Sequence, residues 1–375
     1  MNFDFLAPRR LLVQQGGSRR LPEFCHELGA TSVLLVTDPG IEKLGLLDDV
    51  KSAFAGQSVS LSCYTRVAAD PQDHLVLEAV AAAQACKADA IIGFGGGSSM
   101  DVAKLVAKLA HPDNQQQLSD LYGIGNVKGT RLPLIQVPTT AGTGSEATPI
   151  AIITTGATTK SGVVSPQLMA DLALLDASLT LGLPPAVTAA TGVDAMVHAI
   201  EAYTSRHKKN PQSDLLAREA LRLMAANLRR ATHQGSDVDA REQMLLGAHL
   251  AGQAFTNAPV AAVHALAYPL GGHYHVPHGL SNSLVLPEVV RFNMPEATHL
   301  YAELAPLISQ EPQLDLALST LIDDLGLPVR LRDVGVRESD LPMLAKDAML
   351  QTRLLVNNPR EVTEADALAI YQKVY

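Results

Sequence analysis

One turn of helix carries the residues best suited to chemistry. Within Thr191–Glu201, the segment Asp194-Ala195-Met196-Val197-His198 sets an acid and an imidazole four residues apart. On a helix such residues lie one above the other, so a carboxylate oxygen and a ring nitrogen share one face. Downstream, His264-Ala265-Leu266-Ala267-Tyr268 and His273-Tyr274-His275-Val276-Pro277-His278-Gly279 supply further imidazoles in an otherwise apolar stretch. One carboxylate with two or three imidazoles suits a borderline divalent ion such as zinc or iron(II). An Asp-x-x-x-His pair alone recurs by chance, so the weight falls on the rest of the chain. Glu201 lies on the face of His198 and suits either a hydrogen bond that orients that ring or ordinary packing.

A second group of residues suits phosphate. Gly95-Gly96-Gly97-Ser98-Ser99 sits where the apolar run Ala88–Phe94 hands over to a helical pattern. Glycines there let a ligand approach the backbone, and free amides with the helix dipole attract an anion. The spacing is not G-x-G-x-x-G, so an ordinary tight turn remains open. Thr139-Thr140-Ala141-Gly142-Thr143-Gly144-Ser145 follows another strand-like run and is rich in hydroxyl donors. Asp38 ends the run Ser32–Thr37, where an acid can accept bonds from a ribose diol and repel the extra phosphate of NADP; a helix cap is the common alternative.

The elements that must hold these groups are legible in the pattern. The first half alternates β-rich runs with helical ones, which predicts a mostly parallel α/β sheet. Strands are expected at Arg10–Gln14, Ser32–Thr37, Ser58–Arg66, Ala88–Phe94, Leu132–Val137 and Leu172–Leu175, with a hairpin from Ile150–Thr154 and Lys160–Val164. Helices are expected at Arg19–Leu28, Ile41–Ala53 and His74–Cys86. After Pro184-Pro185 the texture becomes Ala/Leu-rich and helical almost to the end. Two domains follow, 1–183 and 184–375, in line with a length of 375 residues. Asn210-Pro211 and Thr363-x-x-Asp366 open helices, and Gly326 with Pro328 closes one.

Composition narrows the class. Nearly half of the residues are apolar, 18% are charged and the formal charge is −9, which argues against nucleic acid or anionic lipid as the main partner. No apolar run is long enough to span a bilayer, and the N-terminal arginines follow the apolar patch instead of preceding it. Cys25, Cys63 and Cys86 have no C-x-x-C spacing and read as reduced packing residues. A cytoplasmic protein is expected.

Gly95–Lys104, Pro138–Glu146, Gly192–Glu201 and His264–Gly279, in this order, resemble the iron-containing (group III) alcohol dehydrogenases; Val36–Gly40 and Asn358-Pro359-Arg360 extend the likeness over nearly the whole chain. The resemblance implies a Rossmann-like N-terminal dinucleotide-binding domain and an all-α C-terminal domain, the dehydroquinate-synthase-like fold, with the active site in the cleft between. It implies that Asp194, His198, His264 and His278 ligate Fe2+, with Zn2+ as the competing ion. Asp38, Gly95, Gly96, Gly97, Ser98, Asp101, Thr139, Thr140, Thr143 and Lys160 match positions that hold NAD. The implied reaction is hydride transfer between a small primary alcohol, its oxygen on the metal, and the nicotinamide ring. A homodimer or larger homo-oligomer is the family expectation. His273 and His275 fall where members vary.

Three features depart from the family pattern. Tyr268 stands where some relatives carry a histidine that relays the alcohol proton, and its unperturbed pKa near 10 makes it a poorer base. Asp70-Pro71 replaces Asn-Pro. Ala170 and Ala177 stand at frequent proline positions. Ile150, Phe255 and Val362 align with pocket-wall positions and favour a short aliphatic alcohol. Lactaldehyde/propanediol-type or glycerol-type polyol dehydrogenases are the nearby alternatives. A dehydroquinate-synthase-like lyase is the distant one, but Val260–Leu286 has none of the lysines or arginines its substrate needs.

Overall fold

A computed structural model describes residues 2–156 and 159–375. Nine strands occur among these residues: β1 Leu11–Val13, β2 Ser32–Val36, β3 Ser60–Tyr64, β4 Ala90–Gly95, β5 Gly123–Ile124, β6 Leu134–Pro138, β7 Ile150–Thr155, β8 Thr159–Val164 and β9 Leu172–Leu175. Six form one all-parallel sheet in the order β1-β9-β6-β4-β2-β3. Parallel strands are covered on both faces, which is why β4 and β9 read as unbroken apolar runs. Helices α1 Leu21–Glu27, α2 Pro39–Lys43, α3 Asp48–Phe54, α4 Asp73–Ala85 and α5 Gly97–Leu109 supply the cover.

Alternation along β2 shows how the two layers arise. Leu34 and Val36 join Val76, Val102 and Val106 in one apolar cluster, whereas Val33 and Leu35 join Phe24, Val50 and Phe54 in another. The chain leaves β2 for β3 on one side and returns to β4 on the other, so the strand order reverses between β2 and β4. The carboxyl ends of those two strands carry Asp38 and Gly95, the place where open α/β sheets bind ligands.

The expected hairpin is present: β7 and β8 pair antiparallel, and β5, which sequence reasoning missed, adds in parallel to β8. The expected single helix Ile41–Ala53 is instead two, α2 and α3. Gly45 adopts φ +72°, a conformation that ends a helix.

The remaining helices are α6 Pro185–Thr204, α7 Pro211–His233, α8 Val238–Asn257, α9 Ala262–Tyr274, α10 His278–Ile308, α11 Leu314–Asp324, α12 Leu341–Ala348, α13 Thr352–Leu355 and α14 Glu364–Lys373. Their starts follow the sequence punctuation: Asn210 caps α7 and Thr363 caps α14 with reciprocal bonds to Ser213 and Asp366. α6 is buried from Gly192 to Thr204, so its polar residues have no access to bulk water and must find partners inside. Two compact units result. One comprises Leu6–Thr140 with Ser145–Thr180; the other comprises Leu181–Tyr375 with Ala141–Gly144 and the N-terminal residues as far as Phe5. No helix among the described residues is long and apolar enough to cross a membrane.

Asp176, fully buried after β9, fastens the sheet unit's N-terminal turn. Its carboxylate accepts from Gly16 N–H, Ser18 N–H and Ser18 Oγ–H at 2.9, 3.0 and 2.7 Å, and from Ser178 N–H and Oγ–H at 3.1 and 2.6 Å. Replacing it by alanine strands several donors at once. Asp176→Ala is expected to destabilise the fold by about 2–4 kcal/mol, read as a lower urea midpoint.

Candidate metal centre and nucleotide-binding loops

Buried α6 presents Asp194 and His198 on one face, as the four-residue spacing requires, with His198 Nε2 4.0 Å from Asp194 Oδ1. His264, near the start of α9, brings its Nε2 to 3.8 Å from the same oxygen, and His278, the first residue of α10, to 3.6 Å. The ligand atoms of Asp194, His198 and His264 all lie within 4.8 Å of one another. Such separations are too long for hydrogen bonds. They compare with the edge of about 3.4 Å expected for donors on a tetrahedron with arms of about 2.1 Å, so the set fits a divalent ion. Three of the side chains are buried, while the His278 side chain is 46% exposed and forms the open margin. α10 can begin there because residue 279 is glycine: a Cβ would stand 2.4 Å from Ala190 O on α6.

The protonation pattern suits ligation. Glu201 turns not to His198 but to His264, accepting from its Nδ1–H at 2.6 Å, while its other oxygen accepts from Val263 N–H at 2.7 Å. With Nδ1 protonated, Nε2 of His264 offers a lone pair to the centre. Burial pushes His198 down to about 3 against the opposing charge of Asp194, so its ring is neutral at ordinary pH. Burial also tends to lower His264, but the charge and hydrogen bond of Glu201 outweigh it and hold this histidine above 6.5. Burial tends to raise Asp194, yet the three imidazoles and Asn282 bring it below the usual carboxylate value.

Asn282 is a residue that the sequence reading missed. Its Nδ2–H donates to Asp194 Oδ1 at 2.6 Å, and Nδ2 stands 3.3 and 3.4 Å from Nε2 of His264 and His278. Its position four residues after His278 at the head of a helix was the available signal. Phe255 stacks on His198 with ring centroids 4.4 Å apart, and the Tyr268 ring lies 5.9 Å from that of His278. Of the two variable histidines, His273 meets Asp347 at 2.5 Å and His275, with φ +55°, ends α9.

The nucleotide-type residues gather at the switch point in the sheet unit. Gly95 has φ +144°, and a Cβ there would meet Ser99 Oγ at 2.9 Å and Asp38 Oδ2 at 3.4 Å. Asp38 is a helix cap: its Oδ1 accepts from Gly40 and Ile41 N–H at 2.8 and 3.1 Å, which leaves Oδ2 facing Gly95. A Cβ on Gly96 would lie 3.9 Å from Thr140 Oγ1, and Thr139 N–H donates to Gly95 O at 3.0 Å, so the two loops are neighbours. Gly97 and Ser98 open α5. Asp101 and Lys160 have protein partners: the carboxylate accepts from Ser145 and Ile152, and the lysine pairs with Asp70. Thr143 belongs to the other compact unit.

Sequence models of one family cover almost the entire chain: "Iron-containing alcohol dehydrogenase" matches residues 8–177, and "Fe-containing alcohol dehydrogenase family, C-terminal" matches 188–375. The chain belongs to the iron-containing alcohol dehydrogenase family. This dehydrogenase is 42% identical over 359 residues to long-chain-alcohol dehydrogenase 1 of Geobacillus thermodenitrificans, covering 93% of this chain and 90% of that one. It superposes on a crystal structure of 1,3-propanediol oxidoreductase with a TM-score of 0.96 at 35% identity, over the full length of both. Against sulfoacetaldehyde reductase of Bifidobacterium kashiwanohense in complex with NAD+, the TM-score is 0.90 at 27% identity, over 100% of this chain and 99% of that one. The enzyme is an NAD-linked oxidoreductase that interconverts an alcohol and its aldehyde. That sets aside the lyase reading.

A proton on His264 Nε2 competes with the ion. Zinc or iron(II) affinity of the metal-free dehydrogenase is therefore expected to fall as pH drops through the raised pKa of His264, beginning above 6.5, while His198 contributes no loss until near pH 3. In Glu201→Gln the raising charge is gone, so the fall begins at lower pH, and affinity at pH 8 drops about 10–100-fold. Chelator-competition titrations across pH check both statements.

Proposed function

We propose that the dehydrogenase acts on a small, uncharged primary alcohol and its aldehyde, with NAD(H) as coenzyme and Fe2+ as the ion at Asp194, His198, His264 and His278; Zn2+ takes its place where iron is scarce. The ligand geometry carries this reading: one carboxylate oxygen ringed by three imidazole nitrogens at 3.6–4.0 Å, with one imidazole at an exposed margin. The bound ion would supply Lewis acidity that eases loss of the alcohol proton, and NAD+ accepts the hydride.

The chain's own residues do the rest. Asp194 contributes the negative charge that offsets the ion, and His198 and His264 contribute nitrogen lone pairs in a buried setting. Tyr268, near His278, passes the released proton toward solvent as a hydroxyl relay instead of as a base. Asp38, through Oδ2, takes the ribose diol and disfavours a 2′-phosphate. Gly95, Gly96, Gly97 and Ser98 with the α5 N-terminus hold the pyrophosphate, and Thr139, Thr140, Thr143 and Lys160 complete the coenzyme contacts. In this division of labour, residues 1–183 bind coenzyme and 184–375 bind metal.

Two observations support a neutral substrate: Phe255 covers one face of His198, and Val260–Leu286 carries no lysine or arginine. The names of two relatives, a long-chain-alcohol dehydrogenase and a 1,3-propanediol oxidoreductase, agree with it. The high likeness to the latter keeps a propanediol-type polyol as the second reading. A cytoplasmic location, supported by three cysteines that are free in the fold, is part of the proposal, as is the dimeric or larger assembly that the family resemblance implies.

The test is NADH oxidation with short aldehydes and hydroxyaldehydes on protein stripped of metal and reloaded anaerobically. Activity is expected to return with iron(II) or zinc, and to fall more than about 100-fold in His264→Ala. Absence of turnover with every ion would defeat the substrate and metal assignments.

A further inference from the structure

The sheet unit contains a charged pair that the mechanism above does not use. Lys104, on α5, is completely buried. A buried ammonium is tolerated only when its donors are met. Lys104 Nζ donates to Ser145 Oγ at 2.8 Å, Thr148 Oγ1 at 3.2 Å and Ile150 O at 2.5 Å, and lies 3.3 Å from Asp101 Oδ1. Asp101 is engaged on both oxygens: Oδ1 accepts from Ser145 Oγ–H at 2.6 Å and Oδ2 from Ile152 N–H at 2.9 Å. The Ser145 hydroxyl thus accepts from the lysine and donates to the aspartate, closing a three-membered network.

The location of this network explains its use. Asp101 and Lys104 stand on the helix whose N-terminus is the glycine loop, four and seven residues beyond Gly97. Ser145–Ile152 is the segment into which the hydroxyl loop runs and from which β7 departs. The start of the hydroxyl loop is already tied to the glycine loop through Thr139 N–H and Gly95 O. Fixing the far end as well sets the spacing between the two loops. The ammonium also offsets a carboxylate that would otherwise sit behind a helix N-terminus meant for an anion.

We propose that Asp101 and Lys104, joined through Ser145, are positioning residues for the coenzyme: a buried clasp that sets the distance between the two nucleotide loops, with Asp101 not itself a coenzyme ligand. The inference rests on the NAD(H) reading of these loops.

NADH dissociation constants by fluorescence titration, with steady-state kinetics and thermal melts, test it on full-length protein. The set is wild type, Asp101→Asn, Ser145→Ala, Lys104→Met and the double variant Asp101→Asn/Ser145→Ala. Each single change is expected to weaken NADH at least fivefold, with the loss in KM for NADH and a smaller change in kcat. The double variant should be no weaker than its worse single parent, because the clasp fails as one unit. Wild-type affinity in Ser145→Ala, with the loss confined to Asp101→Asn, would make Asp101 a direct ligand and overturn the clasp. Unchanged affinity throughout, or strictly additive losses, would overturn it too. Should Lys104→Met fail to fold, Ser145→Ala decides, since it removes one hydroxyl and no charge. A wild type that binds no NADH would remove the coenzyme reading itself, an outcome visible before any variant is compared.

Discussion

Burying the carboxylate of Asp194 obliges the surrounding helices to bring it partners. An ionised acid cannot remain in an apolar interior unless its charge is met, and this one lies on α6, which is buried from Gly192 to Thr204. His198 comes from the same helix, His264 from α9, and His278 and Asn282 from the head of α10. Two of them are held by something other than the acid: Phe255 stacks on His198, and Glu201 fixes the ring of His264. The charge of Asp194 is thus met by side chains from three helices, α6, α9 and α10.

The same economy of shared anchors appears in Glu201. One carboxylate joins the His264 ring to the N-terminal turn of α9 through Val263 N–H. Ring orientation, choice of tautomer and the placement of a helix are thereby coupled. The sheet unit repeats this logic at a different site, where a single aspartate and a single lysine serve two loops at once.

Much of this organisation is written in local pattern. Alternation in Ser32–Val36 and the continuous apolar character of Ala90–Gly95 announce strands buried on both faces, and β9 begins and ends where the residues suggest. Asn210 and Thr363 cap the helices they precede because a short polar side chain answers amides three residues away. Asp194 and His198 share a face by helical geometry alone. The break at Gly45 was less legible, since an apolar periodicity runs through it and only the left-handed backbone conformation interrupts the helix.

What the chain determined by itself is the set of elements, the faces they present and the residue types able to bind a metal and a dinucleotide. Tertiary structure alone decided which distant groups meet. Glu201, expected beside His198 on its own helix, pairs instead with His264, 63 residues on. Asn282 reaches Asp194 from α10 as a hydrogen-bond donor, and Asp101, which the family resemblance matched to a coenzyme position, points into the protein toward Ser145 and Ile152. The physical reason is common to all three: periodicity fixes the direction of a side chain relative to its own backbone, whereas its partner depends on how separate helices and strands pack. That packing is set by the burial of many apolar side chains, none of which bears on the chemistry.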